Sequence, residues 1–120
     1  MSAAEENPAV DAILLKVLEA VPFEFTTDGG AEPARRRFRD LPRREVHPGL
    51  RTEDRSIDGP SGPIPTRVYW PPAHGDSTPP VVVFLHGGGW AVGDLDTYDG
   101  IARMHAAGAD AVVVLSLIHI

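Results

Sequence analysis

Val81-Val82-Val83-Phe84-Leu85-His86-Gly87-Gly88-Gly89-Trp90 is the segment on which the fold turns. Its first five residues are uniformly apolar, the pattern of a strand buried on both faces of a mainly parallel sheet. Three glycines follow where that strand leaves the sheet, at the edge where α/β sheets bind ligands. Backbone without a Cβ approaches a reacting group closely, adopts dihedrals closed to other residues and can aim N–H groups at a negative oxygen. The segment therefore reads as an anion or oxyanion cradle. The alternative, a flexible turn without chemistry, is disfavoured by the flanking His86 and Trp90. Two phosphate-binding readings fail on spacing. A Gly-x-Gly-x-x-Gly fingerprint needs glycine at position 92, or at 90 and 93, and the chain has Val92 and Trp90. A P-loop needs Gly-Lys followed by Ser or Thr, and the only lysine is Lys16.

Downstream, Asp96 or Thr97 can cap a helix running to about Ala107, with Gly108 in its C-terminal turn, and Ala111 to Val114 repeats the buried-strand pattern. Strand, loop, helix, strand is one βαβ crossover, expected to be right-handed. Upstream, Arg51 to Ile57 and Ile64 to Trp70 read as a hairpin with a longer loop through Asp58 to Pro63. Pro71 to Pro80 is a surface connection. Asn7 and Pro8 begin a helix whose apolar residues Val10, Ile13, Leu14, Val17, Leu18 and Val21 recur at helical spacing until Pro22. Pro33 can open a second helix, with Ala34, Phe38 and Leu41 on one stripe, that Pro42 ends. Six arginines between Arg35 and Arg44 lie on or beside it, and with acidic residues around them and no interleaved aromatics they read as a solvated face.

The 120 residues include 11 basic and 17 acidic side chains, a net charge of -6, and no cysteine. With a pI near 5.2 the chain has no general attraction to phosphate backbones or anionic lipid, so neither nucleic acid nor stable membrane anchoring is expected. Disulfides, cysteine metal sites and a cysteine nucleophile are all excluded. The N-terminus is acidic, unlike a signal peptide, and apolar runs are far shorter than the roughly 20 residues a membrane helix needs. These features point to a soluble, cytoplasmic α/β protein.

Residues 46 to 114 resemble the hormone-sensitive-lipase branch of the α/β-hydrolase fold, carboxylesterases and lipases marked by His-Gly-Gly-Gly. The resemblance rests on Val81 to Trp90 with Gly93-Asp94-Leu95-Asp96, and on Asp54-Arg55, Ile57, Gly59-Pro60 and Gly62-Pro63-Ile64-Pro65 with Arg67-Val68-Tyr69 upstream. Residues 1–45 resemble the N-terminal cap helices of that family. The resemblance implies a sheet that starts with an antiparallel hairpin and continues as a parallel βαβ unit. It implies that Gly88 and Gly89 offer oxyanion-hole N–H groups, that Gly87 shapes the turn, that His86 braces the loop without being the base, and that Trp90 helps wall the substrate pocket. The implied chemistry is hydrolysis of short to medium acyl esters through a serine acyl-enzyme, with a small-molecule ester as partner and with no metal and no cofactor.

Such an enzyme needs a serine on a Gly-x-Ser-x-Gly elbow, then an acid, then a histidine. Ser2, Ser56, Ser61, Ser77 and Ser116 offer no elbow; only Ser61 has close glycines, in a turn context. His47, His74 and His105 have no evident triad partner and read as surface residues. The chain is therefore expected to be an N-terminal fragment, inactive by itself and poorly soluble. Leu115 to Ile120 (Leu-Ser-Leu-Ile-His-Ile) matches translation of a common transposase-end sequencing adapter and is expected to be a non-native tail, leaving 46–114 as a truncated hydrolase domain. Two other readings stay open: a non-catalytic small-ligand receptor on the same fold, and an inactive remnant.

Overall fold

A computed structural model describes residues 11–20, 28–72 and 78–117. The signals at Asn7, Pro8 and Pro22, and His74 and His119, lie outside them. In chain order the elements are helix α1 (Ala12–Ala20), helix α2 (Ala31–Asp40), strands β1 (Thr52–Gly59), β2 (Gly62–Tyr69) and β3 (Val81–Leu85), helix α3 (Asp99–Ala109) and strand β4 (Val112–Ser116). They form one four-stranded sheet in the order β1-β2-β4-β3. β1 and β2 are antiparallel, β2 and β4 are antiparallel, and β3 runs parallel to β4 from Val81 against Val112 to Leu85 against Ser116. This is the expected hairpin followed by the expected βαβ unit. The hairpin is tighter than its turn-forming residues suggested: pairing continues to Gly59 against Gly62, leaving only Pro60 and Ser61 in the turn. Leu115 and Ser116, assigned to the tail by sequence, stand in β4 opposite Arg67 and Thr66.

The core lies between this sheet and α3, where Tyr69, Val113 and Leu115 meet Ala102 and Ala106 with Leu50, Phe84, Leu95 and Tyr98 packed around them. Alanines one helical turn apart let α3 sit close to the strands. Burial differs from expectation at β3. Val81 and Val83 are 64% and 65% exposed, and Leu85 is exposed with them. β3 is the last strand of the sheet, so one edge has no partner and the face opposite Phe84 has no cover among the described residues. β4, by contrast, has neighbours on both sides and buries Val113 and Leu115 fully. The stripe on α1 (Ile13, Leu14, Val17, Leu18) is likewise exposed. Its helix starts at Asp11, whose Oδ1 accepts the Ile13 N–H at 2.7 Å, an N-cap bond.

Charge fixes α3 to the sheet. Asp99, the first residue of α3, accepts the Tyr69 hydroxyl at 2.7 Å and Arg67 Nη1 at 3.1 Å on one oxygen, and Arg103 Nε at 2.7 Å on the other. Arg67 also pairs with Asp54 on β1 and with Asp96, and Arg103 Nη1 donates to the His47 and Leu50 carbonyls. A carboxylate at a helix N-terminus is further favoured by the helix dipole. Burial pushes the Tyr69 phenol well above its ordinary range, so it remains a donor. For Asp99, burial raises the pKa, but the hydrogen bonds from Tyr69, Arg103 and Arg67 outweigh it and hold the carboxyl below its usual value.

Two outcomes follow from this packing. A depressed carboxyl contributes fully above the ordinary aspartate pKa and loses its contribution as pH falls through the folded value. The unfolding midpoint of the chain, followed by circular dichroism, is therefore expected to be flat near neutrality and to drop below about pH 4, and Asp99→Asn should lower the neutral midpoint and flatten that acid limb. Separately, the open edge and face of β3 make the 120-residue chain self-associate and bind a hydrophobic dye; Val83→Lys should reduce both, as read by light scattering and dye fluorescence.

Candidate functional site

Leu85 ends β3 and hands the chain to His86, which is 2% exposed. The His86 Nδ1 lies 2.7 Å from the Gly87 carbonyl, and the ring stacks on Tyr98 with centroids 4.9 Å apart and planes 22° apart. Tyr98 in turn meets Phe84 and Phe38 at 6.2 and 6.1 Å. The histidine thus stacks on Tyr98, which is itself packed between the Phe84 and Phe38 rings.

Beyond His86 the backbone enters conformations that side chains disfavour. Gly88 has φ 137°, Gly89 φ 58° and Trp90 φ 57°, the last a non-glycine residue in the left-handed region. The Gly88 carbonyl accepts the N–H groups of both Ala91 and Val92 at 3.1 Å. Among the described residues, no backbone carbonyl takes the N–H of Gly88 or Gly89. A Cβ on Gly88 would coincide with the Val92 carbonyl oxygen. Gly87 carries no such constraint: its φ is ordinary and a Cβ there would meet only the Tyr98 hydroxyl, at 3.7 Å. Trp90 is 84% exposed.

The loop closes through a second turn. Asp94 N–H donates to Thr97 Oγ1 and Thr97 N–H to Asp94 Oδ1, both at 2.8 Å. Asp96 and Thr97 were the expected caps of the next helix; instead Thr97 ties off the turn before it, Asp96 pairs with Arg67, and α3 starts at Asp99 with no side-chain cap. At the other end of α3 the left-handed residue is Asp110, φ 57°, in place of Gly108.

Sequence reasoning missed two sets of residues here. The first is Gly93, φ 109°, where a Cβ would fall 2.6 Å from His86 Nδ1 and 3.1 Å from the Gly87 carbonyl oxygen. The second is the arginine face of α2. Arg35 Nε donates to the Ala91 carbonyl at 2.7 Å, Arg39 Nε meets Asp94 at 3.1 Å, and Arg43 Nε donates to the Thr97 carbonyl at 3.1 Å. The remaining Arg43 nitrogens take the Phe38, Arg39 and Leu41 carbonyls at 2.6–2.9 Å, capping the end of α2. Arg36, Arg37 and Arg44 fit a solvated face; Arg39 and Arg43 are exposed as well, but they and the half-buried Arg35 are bonded to the loop. The signal was present as spacing, since 35, 39 and 43 recur every fourth residue and so share one side of the helix and its extension.

Ser61 sits in the β1–β2 turn. His47 is exposed, and His105 is exposed with its ring edge-on to Phe84 at 5.4 Å. Neither histidine belongs to the loop. No group of three His, Asp or Glu side chains among the described residues is arranged to hold a metal ion, and no described helix is long and apolar enough to cross a membrane.

Comparison with known proteins places this geometry among relatives. A family model of the alpha/beta hydrolase fold matches residues 82–116. Esterase LipI of Mycobacterium tuberculosis is 61% identical over 112 residues, covering 92% of this chain and 35% of that protein. Carboxylesterase NlhH of the same organism is 49% identical over 111 residues, covering 90% and 34%. Among solved structures, DphMB1 superposes with a TM-score of 0.76 at 65% identity, covering 91% of this chain and 35% of that one. The hyperthermophilic esterase of Pyrobaculum calidifontis gives 0.68 at 33%, covering 89% and 36%. The chain spans about a third of the length of the curated relatives it matches.

The glycine contacts lead to a paired test of the loop. Gly93→Ala, which drives a methyl into the His86 ring at a positive φ, should cost about 1–3 kcal/mol of stability in thermal unfolding. Gly87→Ala, with ordinary φ and open space, should stay within about 0.5 kcal/mol of the parent.

Proposed function

We propose that this chain, which belongs to the α/β-hydrolase fold family, forms part of a carboxylic ester hydrolase and supplies the loop that stabilises its oxyanion. The observation that carries this is the turn at Gly88 and Gly89: left-handed backbone at the C-terminal end of a parallel strand, closed through the Gly88 carbonyl, with both glycine N–H groups unused by any described backbone carbonyl. The likeness to proteins named esterase and carboxylesterase supports the reaction class.

In this reading a serine hydroxyl of the whole protein attacks the ester carbonyl carbon while a histidine takes its proton. The carbonyl oxygen becomes negative and is held by the N–H groups of Gly88 and Gly89. Collapse of the tetrahedral intermediate releases the alcohol, which regains the proton from the histidine, and water then repeats the sequence on the acyl-serine to free the acid. Each N–H matters because it meets charge that exists only at the transition state, and losing one costs about 10² to 10³ in rate. His86 and the Gly87 backbone carbonyl beside its Nδ1 support the loop, and the solvent-exposed Trp90 walls the pocket. The substrates are esters of short to medium acyl chains, handled in the cytoplasm without a metal or cofactor. The nucleophile, acid and base come from outside these 120 residues.

The test is expression of the entire reading frame, sequenced from intact genomic DNA, against p-nitrophenyl esters of increasing chain length. Turnover with an acyl-enzyme burst is expected. Gly88→Ala and Gly89→Ala keep the N–H but force the backbone out of its positive φ, so each should displace the donor and lower kcat about 10²- to 10³-fold, and the 120-residue chain should be inactive. A reading frame with no Gly-x-Ser-x-Gly elbow and no ester turnover would overturn the proposal.

A further inference from the structure

The loop that carries Gly88 and Gly89 is bonded internally at its two turns and at its base, where His86 Nδ1 lies by the Gly87 carbonyl and the Tyr98 N–H meets the Asp94 carbonyl. Two N–H groups converge on the Gly88 carbonyl, and the Asp94–Thr97 pair closes the distal turn. Between them the Ala91 carbonyl and the Asp94 carboxylate point to a helix more than fifty residues earlier in the chain. Arg35 and Arg39 of α2 take these two acceptors, and Arg43, at the next step of the same spacing, takes the Thr97 carbonyl. The same helix also reaches the base of the loop, because Phe38 packs on Tyr98, whose other ring neighbours are His86 and Phe84. The side chains of α2 and of Arg43 just beyond it therefore reach the loop at Ala91, Asp94, Thr97 and Tyr98, the half that follows Trp90.

We infer that Arg35 and Arg39 are positioning residues for the oxyanion loop, α2 acting as an external brace that holds Gly88 and Gly89 in their left-handed conformation. The inference rests on the function proposed above. The backbone strain at Gly88, Gly89 and Trp90 persists only when surrounding contacts over-determine it, and the guanidinium bonds from α2 supply contacts at the position immediately after Trp90. Their chemistry suits the task. Arginine presents several donors in a rigid plane, so a bond from Nε to a carbonyl fixes direction as well as distance, which a lysine ammonium does not. A loop released from the brace keeps its glycines and its fold but spreads over more than one backbone arrangement. The loss then falls on the transition state, where a displacement of about 1 Å costs about 10²-fold, while ground-state binding changes little.

The experiment uses the entire reading frame carrying Arg35→Met with Arg39→Gln, compared with Arg35→Lys with Arg39→Lys and with the exposed pair Arg36→Gln with Arg37→Gln. For the first variant kcat should fall about 10- to 100-fold with KM within twofold. Affinity for a tetrahedral phosphonate analogue should fall by the same factor, while affinity for the alcohol product stays level. The lysine variant should recover part of kcat, and the Arg36/Arg37 pair should match the parent. Hydrogen exchange of the amides from 88 to 94 should quicken in the first variant only. Equal losses in kcat and in alcohol affinity, or a kcat equal to that of the Arg36/Arg37 pair, would overturn the inference. If the parent protein turns over no ester, the proposed function falls, and exchange at 88–94 still decides for or against the brace.

Discussion

The Asp99 carboxylate is the constraint on which the remaining geometry rests. It binds one tyrosine and two arginines drawn from β2 and from its own helix, and through Arg67 it reaches β1. That single group sets where α3 begins and how it lies on the sheet. Since β3 is fixed by its pairing with β4, the thirteen positions from His86 to Tyr98 are stretched between two anchored ends. The anchored ends fix where this glycine-rich segment begins and finishes, while its glycines permit the positive φ angles between them. Charge burial of this kind is costly unless every partner is present, and here the partners are supplied by hydroxyl and guanidinium donors on both sides of the carboxylate.

The pairing of the strands was legible in the sequence because periodicity reports it directly: five apolar residues in 81–85, a second run after 110 and a turn-rich gap at 58–63. The bounds of α3 were not, and for one reason at both ends. Asp96, Thr97 and Gly108 are the residue types that usually mark helix ends, yet Thr97 is engaged by Asp94 in the preceding turn, and Asp110 adopts the left-handed conformation that glycine adopts most easily. At both ends a competing local bond set the boundary: Asp94 with Thr97 before the helix, and the Asp110 N–H to the Ala106 carbonyl after it. The burial expected of β3 failed for a different reason, since an apolar run states a need for cover and not which residues provide it. Its cover is not among the described residues, whereas β4 finds it in α3 and β2.

At the candidate site the glycines were legible because backbone conformations closed to side chains leave a compositional trace. What holds them was not. Arginines on a basic, polar-looking helix carry no local mark of their acceptors, and the bonds from α2 to the loop span more than fifty residues. Only the fourfold spacing of 35, 39 and 43 hinted at a shared face. The chemistry proposed for the loop therefore depends on two separate physical statements: glycine permits the conformation, and distant side chains select it.

The contact between Gly93 and His86 carries a further meaning for how this loop can change. The missing Cβ of one residue and the imidazole of the other occupy the same space, so the two positions are epistatic. A smaller residue at 86 relieves only part of the cost of a side chain at 93, since the positive φ and the Gly87 carbonyl remain, and it removes the stack on Tyr98 before any benefit is gained. Neither single step is neutral, so a route between alternative pairs passes through a less stable intermediate. The loop is held in place by the absence of easy exits as much as by its bonds.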